Sequence, residues 1–342
     1  MATHALDPAL ASALRRAEVD PAGLTDAEYV ALLGADGPEL AALTALADAV
    51  REAAVGPAVT YVVNRNLDPA QAARDPALAR ELVAEAWALG ATEICMQGPV
   101  PEGASYLDVV RLVKEQAPVH LHAFRPAEVA DGAARLGVSP REFLSAAKEA
   151  GLDSVPGTAA KILDDGVRAR LGPDLPVTRW IELIETAHGV GLRSTATMVY
   201  GHVETPAQQV AHLRTLAAIQ DRTGGFTEFI PMPVQPAQVP PGLAVRYADR
   251  RETLALHAVA RLLLHGRIDH VQAAWPKLGR EVSREVLAAG ADDAGGLLLD
   301  GTLDPTAGAE AGLQLTVDDV AAIAPPGRQI RQRTTSYGPV EA

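Results

Sequence analysis

The stretch Val59-Thr60-Tyr61-Val62-Val63-Asn64-Arg65-Asn66 decides the fold. Five β-branched or aromatic residues in succession predict a strand. The polar Asn-Arg-Asn that follows predicts the loop at its C-terminal end. Before this stretch, residues 8–54 read as helices. Leu40, Leu43, Ala47 and Val50 recur at three and four, the spacing of one helical face. Asp20-Pro21 and the run from Gly34 to Pro38 punctuate them. After it the period alternates. Strands are predicted at 92–96, 119–124, 152–155, 194–200, 227–231 and 269–274. Helices are predicted at 81–89, 107–116, 140–150, 178–190, 206–223 and 250–265.

Repeated strand–helix units predict a parallel sheet with right-handed crossovers. Roughly seven such units closing on themselves give an α/β fold of the TIM-like (β/α) barrel kind, complete or partial. An open doubly wound sheet is the alternative. The chain divides into a helical extension (1–56), the barrel (57–300) and a C-terminal segment packing on it (301–342). Barrels present their chemistry at the C-terminal ends of the strands. That rule selects Asn64, Arg65, Asn66, Gln97, His122, Tyr200, His202 and the run from Gln272 to Lys277.

The 342 residues are 48% hydrophobic and 21% charged, enough for an ordinary buried core. Net charge is −13. An acidic surface argues against nucleic acid and anionic membranes as main partners. It leaves a small-molecule ligand as the expected partner, with a homodimer open. The single cysteine, Cys95, excludes an intrachain disulfide. No basic head precedes an apolar stretch, and no apolar run spans a bilayer. A cytoplasmic location is expected.

Several segments resemble one family in order along the chain. They include Thr60 to Asn66, Gly90 to Gly98, His120-Leu121-His122-Ala123-Phe124 and Gly151 to Ala160. Thr197 to Thr205, Thr223 to Phe229, His265 to Asp269 and Arg331 to Thr335 continue the series. Together they resemble the tyrosine-attaching half of the deazaflavin (FO) synthase family, whose members are radical S-adenosylmethionine (SAM) enzymes. The resemblance implies a barrel of the radical SAM type. It also implies a [4Fe–4S] cluster on three cysteines spaced Cys-x3-Cys-x2-Cys, with SAM bound to it.

The chain departs from that pattern at telling places. Family members pass from Asn-Arg-Asn into a long loop carrying the cluster cysteines. Here Asn66 is followed by Leu67-Asp68-Pro69-Ala70, and one cysteine cannot supply three thiolates. The family's Gln-Gly-Gly is Gln97-Gly98-Pro99, and proline has no N–H to offer. Its Leu-Pro-Phe-Val-His is Met232-Pro233-Val234-Gln235-Pro236, and its Glu-Glu pair near the end is Pro305-Thr306. No iron–sulfur cluster is expected. SAM is the one cofactor the resemblance still offers, for polar group transfer only.

The candidate catalytic residues are His202, Glu204, His122 and Tyr200. The candidate binding residues are Asn64, Arg65, Asn66, Glu93, Gln97, Glu228 and Gln272. His202 and Glu204 match the family's Tyr-Gly-His-x-Glu-Thr just past a strand end. His120 and His122, two apart on a strand, point the same way. Glu93 and Glu228 are acids inside strands, costly unless paired. Cys95 reads as a small buried hydrophobe. Three functions remain open. One is a cluster-less enzyme working without radicals on a small aromatic or heteroaromatic molecule. Another is a non-catalytic binding subunit for a deazaflavin-type ligand. The third is a metal-dependent lyase or hydrolase, although no tight ligand motif such as His-Glu-x-x-His occurs.

Overall fold

One long extended stretch both closes the barrel and starts the wall of its cavity. Val59–Val62 (β1) and Asn64–Leu67 (β2) follow each other with only Val63 between. The remaining strands are Glu93–Met96 (β3), His120–Ala123 (β4), Ser154–Val155 (β5), Arg193–Tyr200 (β6), Phe226–Pro233 (β7), Asp293–Gly296 (β8) and Ile330–Gln332 (β9). The computed structural model describes residues 7–299, 310 and 312–340. The segment holding Pro305-Thr306, and the boundary expected at 300, lie outside them.

The named strands pair in parallel. Six strands run β2-β3-β4-β5-β6-β7, and three run β8-β1-β9. Because β1 continues into β2, the two sheets share an edge. On the far side, Phe229 of β7 bridges Val271, and Gln272 bridges Asp293 of β8. The pairing therefore runs round a closed ring, which removes the open-sheet alternative. The strand expected at 269–274 is reduced to that bridging pair.

The helices lie outside the ring. Many start with a polar N-cap followed by proline, as at Asp75-Pro76, Ser139-Pro140 and Thr205-Pro206. The cap side chain accepts a free backbone N–H, and proline at the first position has none to leave unsatisfied. Helices Pro69–Arg74, Pro126–Leu136 and Trp275–Leu287 also appear, where no helix was expected. Among the described residues, no single helix is long and apolar enough to cross a membrane.

Among the described residues, three helices precede β1. Of these, Gly37–Val55 and Asp26–Leu33 pack on Arg250–Leu263. Arg251 ties that contact by donating to the carbonyls of Leu33 and Ala35 at 2.9 and 3.1 Å. At the other end of the chain, β9 pairs with the start of β1, Ile330 beside Val59. The Arg333 N–H then donates to the Tyr61 carbonyl at 2.8 Å. The tail thus enters the N-terminal end of the barrel and forms its floor.

Candidate functional site

Side chains alternate across a strand, and here the alternation sorts polar from apolar. Ile94, Met96, Leu121, Ala123, Met198 and Phe229 face outward and are fully buried under the helices. The inward positions are mostly polar, where barrels usually carry branched aliphatic residues. They surround a cavity of about 390 Å³. Asn64 and Asn66 of β2, Glu93 and Cys95 of β3 and His122 of β4 line one side. Glu228 of β7, with Gln272 and Thr195, lines the other. Gln97, Thr158, Lys161, Trp275 and Lys277 edge the mouth.

Unsupported polar groups would be costly in such a place, so partners matter. Asn64 Oδ1 accepts the Leu298 N–H at 3.0 Å. Gln97 accepts from the Thr158 hydroxyl at 2.8 Å. At the mouth, Asn66 Nδ2 donates to Glu310 at 2.9 Å, and Lys277 Nζ lies 3.3 Å from the same carboxylate. Ala159, Lys161 and Leu298 hold φ values of 68°, 47° and 57°. Non-glycine residues in that region cost on the order of 1–3 kcal/mol each and gather at working sites.

The floor is a charged network built by the tail. Arg333 is buried, with Nε 2.5 Å and Nη2 2.9 Å from the two oxygens of Asp293. Its Nη2 is also 3.3 Å from Glu228. The Tyr337 hydroxyl donates to Glu228 at 2.6 Å. The Tyr337 ring lies under the guanidinium, 4.0 Å away, and stacks on His270 at 3.5 Å. Thr335 donates to Glu93.

Asp293 takes both short bonds from Arg333, so Glu228 receives the weaker share. Burial pushes the Glu228 carboxyl up to about 7, against the opposing pull of Arg333. A carboxyl raised from 4.5 in this way binds its proton more tightly in the folded state. Its contribution to stability is therefore fully present below pH 4.5 and lost as pH rises through about 7. Glu228→Gln is expected to flatten the fall of melting temperature between pH 5 and 8. An unchanged slope would show that Glu228 is ionised throughout.

The structure brings together Asn64, Asn66, Glu93, Gln97, His122, Glu228 and Gln272 around this cavity. It places the other four candidates elsewhere. Asn64, Arg65 and Asn66 are strand, not loop, so Arg65 faces outward between its two neighbours. It donates to the Leu82 and Leu299 carbonyls at 2.7 and 3.1 Å and lies 2.9 Å from Glu85. Tyr200 is outward by the same parity, since Thr195 and Val199 face the cavity. Its hydroxyl donates to Thr253 at 3.1 Å.

His202 and Glu204 do form a polar cluster, but it is buried behind the wall. His202 Nε2 lies 2.9 Å from the Val199 carbonyl, and Nδ1 lies 2.8 Å from a carboxylate oxygen of Glu204. Glu204 accepts the N–H groups of Gly201 and His202 at 2.7 and 2.9 Å. Burial alone would raise its pKa, but bonds from His202, Gly201 and Gln209 outweigh burial and hold it near 2. The pair ties down the turn between β6 and the next helix. The expectation that Tyr200 and His202 line the mouth is corrected accordingly.

Sequence reasoning missed Arg333, Thr335, Lys161 and Cys95 as lining residues. Arg333 and Thr335 come from a tail far along the chain, and no local pattern signals their position. Cys95 could have been found, because it shares parity with Glu93 and Gln97. Burial, with the Glu93 charge adding to it, pushes the Cys95 thiol up to about 12.

The cluster implied by the resemblance needs three thiolates. The chain holds one cysteine, and that thiol stays protonated. The residues present do not fit the cluster. Among the described residues, no group of three or more His, Cys, Asp and Glu side chains could hold a metal ion. The segment matching the family's Gln-Gly-Gly carries Gly98 at φ 130°, followed by Pro99.

Comparison with known proteins bears on this site. Residues 223–342 match the CofH/MqnC C-terminal region. The chain is 50% identical to FO synthase of Mycobacterium leprae over 365 residues, covering 98% of this chain and 42% of that protein. It is 38% identical to 5-amino-6-(D-ribitylamino)uracil–L-tyrosine 4-hydroxyphenyl transferase of Methanothermobacter thermautotrophicus, covering 96% of this chain and 97% of that one. The chain thus spans less than half the length of the FO synthases it matches. The alignment with the M. leprae protein is longer than this chain, 365 against 342 residues, so that relative carries residues with no counterpart here. Among solved structures, the fold matches methylornithine synthase (TM-score 0.66, 16% identity, 91% of this chain and 94% of that one). It also matches the [FeFe]-hydrogenase maturase HydG (TM-score 0.73, 12% identity, 97% and 77%). These two show a shared barrel fold.

Proposed function

The chain belongs to the family of FO synthase and the ribitylaminouracil–tyrosine 4-hydroxyphenyl transferases, and from that premise we propose that it is a cluster-less member. In this reading it keeps the ligand cavity and works there by acid–base chemistry on a small aromatic or heteroaromatic molecule. The carrying observation is the junction after β2. Asp68 alone separates β2 from helix Pro69–Arg74, and so short a connection, in a chain with a single cysteine, supports the cluster-less reading. The cavity beside that junction nevertheless keeps its amides and acids.

The lining supports a planar, polar ligand. Trp275 presents an aromatic body at the mouth while its Nε1–H donates to the Gly296 carbonyl at 2.9 Å. Asn64, Asn66, Gln97 and Gln272 supply donors and acceptors without net charge, which suits the edges of a pyrimidine or deazaflavin ring. His122 and Glu228 supply acid–base groups. His122 is neutral at physiological pH, because burial and the Arg333 charge push it down to about 4. Glu228 is partly protonated there.

The test is a thermal-shift screen with tyrosine, ribityl pyrimidines and deazaflavins, followed by titration of whatever stabilises. A ligand at 100 times its Kd stabilises by about 2.7 kcal/mol. Gln97 is exposed at the mouth, so Gln97→Ala should leave the melting temperature alone and weaken binding about tenfold (~1.4 kcal/mol). Absence of binding by all three classes, or binding indifferent to Gln97→Ala, would reject this reading. Binding without any consumption of ligand would favour a carrier over an enzyme.

A further inference from the structure

A hydrogen-bonded trio links the cavity wall to the barrel floor. His120 and His122 lie two apart on β4, and Ser154 on β5 is the register partner of His122. Ser154 Oγ lies 2.6 Å from His122 Nδ1 and 2.7 Å from His120 Nε2. A hydroxyl has one proton and two lone pairs. Placed between two ring nitrogens, it donates to one and accepts from the other. His122 lines the cavity, and Ser154 takes up its Nδ1, which leaves Nε2 as the ring nitrogen to serve a ligand. His120 is the first residue of its strand, half-buried at the N-terminal end of the barrel.

We propose that His122, Ser154 and His120 form a proton relay between the cavity and the N-terminal face of the barrel. This rests on the reading of the cavity as an acid–base site, to which it adds the route by which protons arrive and leave. The relay has two settings. In one, both rings carry their proton on Nε2, so Ser154 accepts from His120 and donates to His122. In the other, both carry it on Nδ1, and Ser154 accepts from His122 and donates to His120. When His122 gives its Nε2 proton to a ligand, it takes the Ser154 hydroxyl proton at Nδ1. Ser154 takes the His120 Nε2 proton, and His120 takes one from solvent at Nδ1. Every group ends neutral, and one proton has crossed. Run backwards, the same steps remove a proton from the ligand.

The surroundings suit passage without storage of charge. Burial lowers the basicity of both rings. Glu93 and Asp153 oppose that effect at His120, and His122 and Lys114 add to it. At His122, Arg333 adds to the effect of burial. Both rings are therefore neutral at physiological pH, as two interchangeable tautomers require.

Ligand-free protein labelled with ¹⁵N-histidine tests this. Ring ¹⁵N shifts, assigned with His120→Gln and His122→Gln, give the Nδ1–H fraction of each neutral ring. One shared hydroxyl proton requires equal fractions in the wild type across pH 6 to 9. Ser154→Ala should make them diverge, and Ser154→Thr, which restores a hydroxyl, should bring them together again. Unequal fractions in the wild type would overturn the relay. So would fractions that stay matched in a folded Ser154→Ala protein. Neither result depends on any ligand, so the relay can fail while the ligand reading stands, and the reverse.

Discussion

Anaerobic reconstitution with iron and sulfide is expected to leave this protein without a [4Fe–4S] cluster, and treatment with SAM and a strong reductant to release no 5′-deoxyadenosine. The effect is a complete loss of the reaction that the resemblance implies. Three thiolates are needed, and one thiol is present, at Cys95. That thiol sits inside the cavity wall, pushed up to about 12 by burial, and is a poor source even of one thiolate. Reductive cleavage of SAM needs an electron from such a cluster, and the cluster also anchors SAM. With that anchor missing and Pro99 unable to donate an N–H, SAM itself should bind weakly. The checks are iron content, the broad visible absorption of a cluster, and chromatography for 5′-deoxyadenosine. A stoichiometric cluster lost in Cys95→Ala, or any turnover of SAM to 5′-deoxyadenosine, would overturn the cluster-less reading. Tight SAM binding without cleavage would shift the proposal toward polar group transfer.

The barrel was legible because short strand-like runs recur at regular spacing, and the helices between them carry the 3.6-residue period. Most predicted strands and helices match the structure within a few residues. What stayed hidden has physical causes. The strand at 271–272 makes only two bridges, too few to leave a pattern. Strand β8 reads Asp-Ala-Gly-Gly, because its glycines let other side chains close in. A Cβ on Gly296 would meet Asn64 Oδ1 at 2.2 Å, and one on Gly295 would meet Gln272 at 2.9 Å. Strand propensity is therefore sacrificed to make room for two wall residues. Helix Pro69–Arg74 was missed although Asp68-Pro69 is an N-cap signature.

The site divides in the same way. The parity of alternate residues on one strand could have been applied throughout. It separates Asn64 and Asn66 from Arg65, and Val199 from Tyr200. A place at a strand end does not by itself say which way a side chain faces. His202 and Glu204 show the second cause. A motif retained at a strand end can be retained for the turn it builds. The floor residues show the third, because they arrive by a long-range contact between the tail and β1 that a local pattern cannot reveal.

That floor carries the largest expected loss of stability. Arg333→Ala should cost about 3–5 kcal/mol, the usual penalty for removing one partner of a buried ion pair. Asp293 would lose both oxygens' bonds to the guanidinium, and Glu228 its nearby cation. Thr60 still donates to Asp293 at 2.6 Å, but a hydroxyl does not balance a buried carboxylate. Tyr337 would also lose the cation over its ring. In melting temperature the change should be on the order of 10 °C. Its pH dependence identifies the cause. Without Arg333, Glu228 loses the cation that opposes the effect of burial and should bind its proton still more readily in the folded state, so the variant should recover stability as pH falls from 8 to 5. Arg333→Ala combined with Asp293→Asn should recover part of the loss at neutral pH, because the unpaired charge is removed. Arg333→Lys should fall between, since it keeps the charge but cannot hold two oxygens at once. A loss below about 1 kcal/mol for Arg333→Ala, a value ordinary for an exposed pair, would mean that the tail does not hold the floor of the barrel in solution.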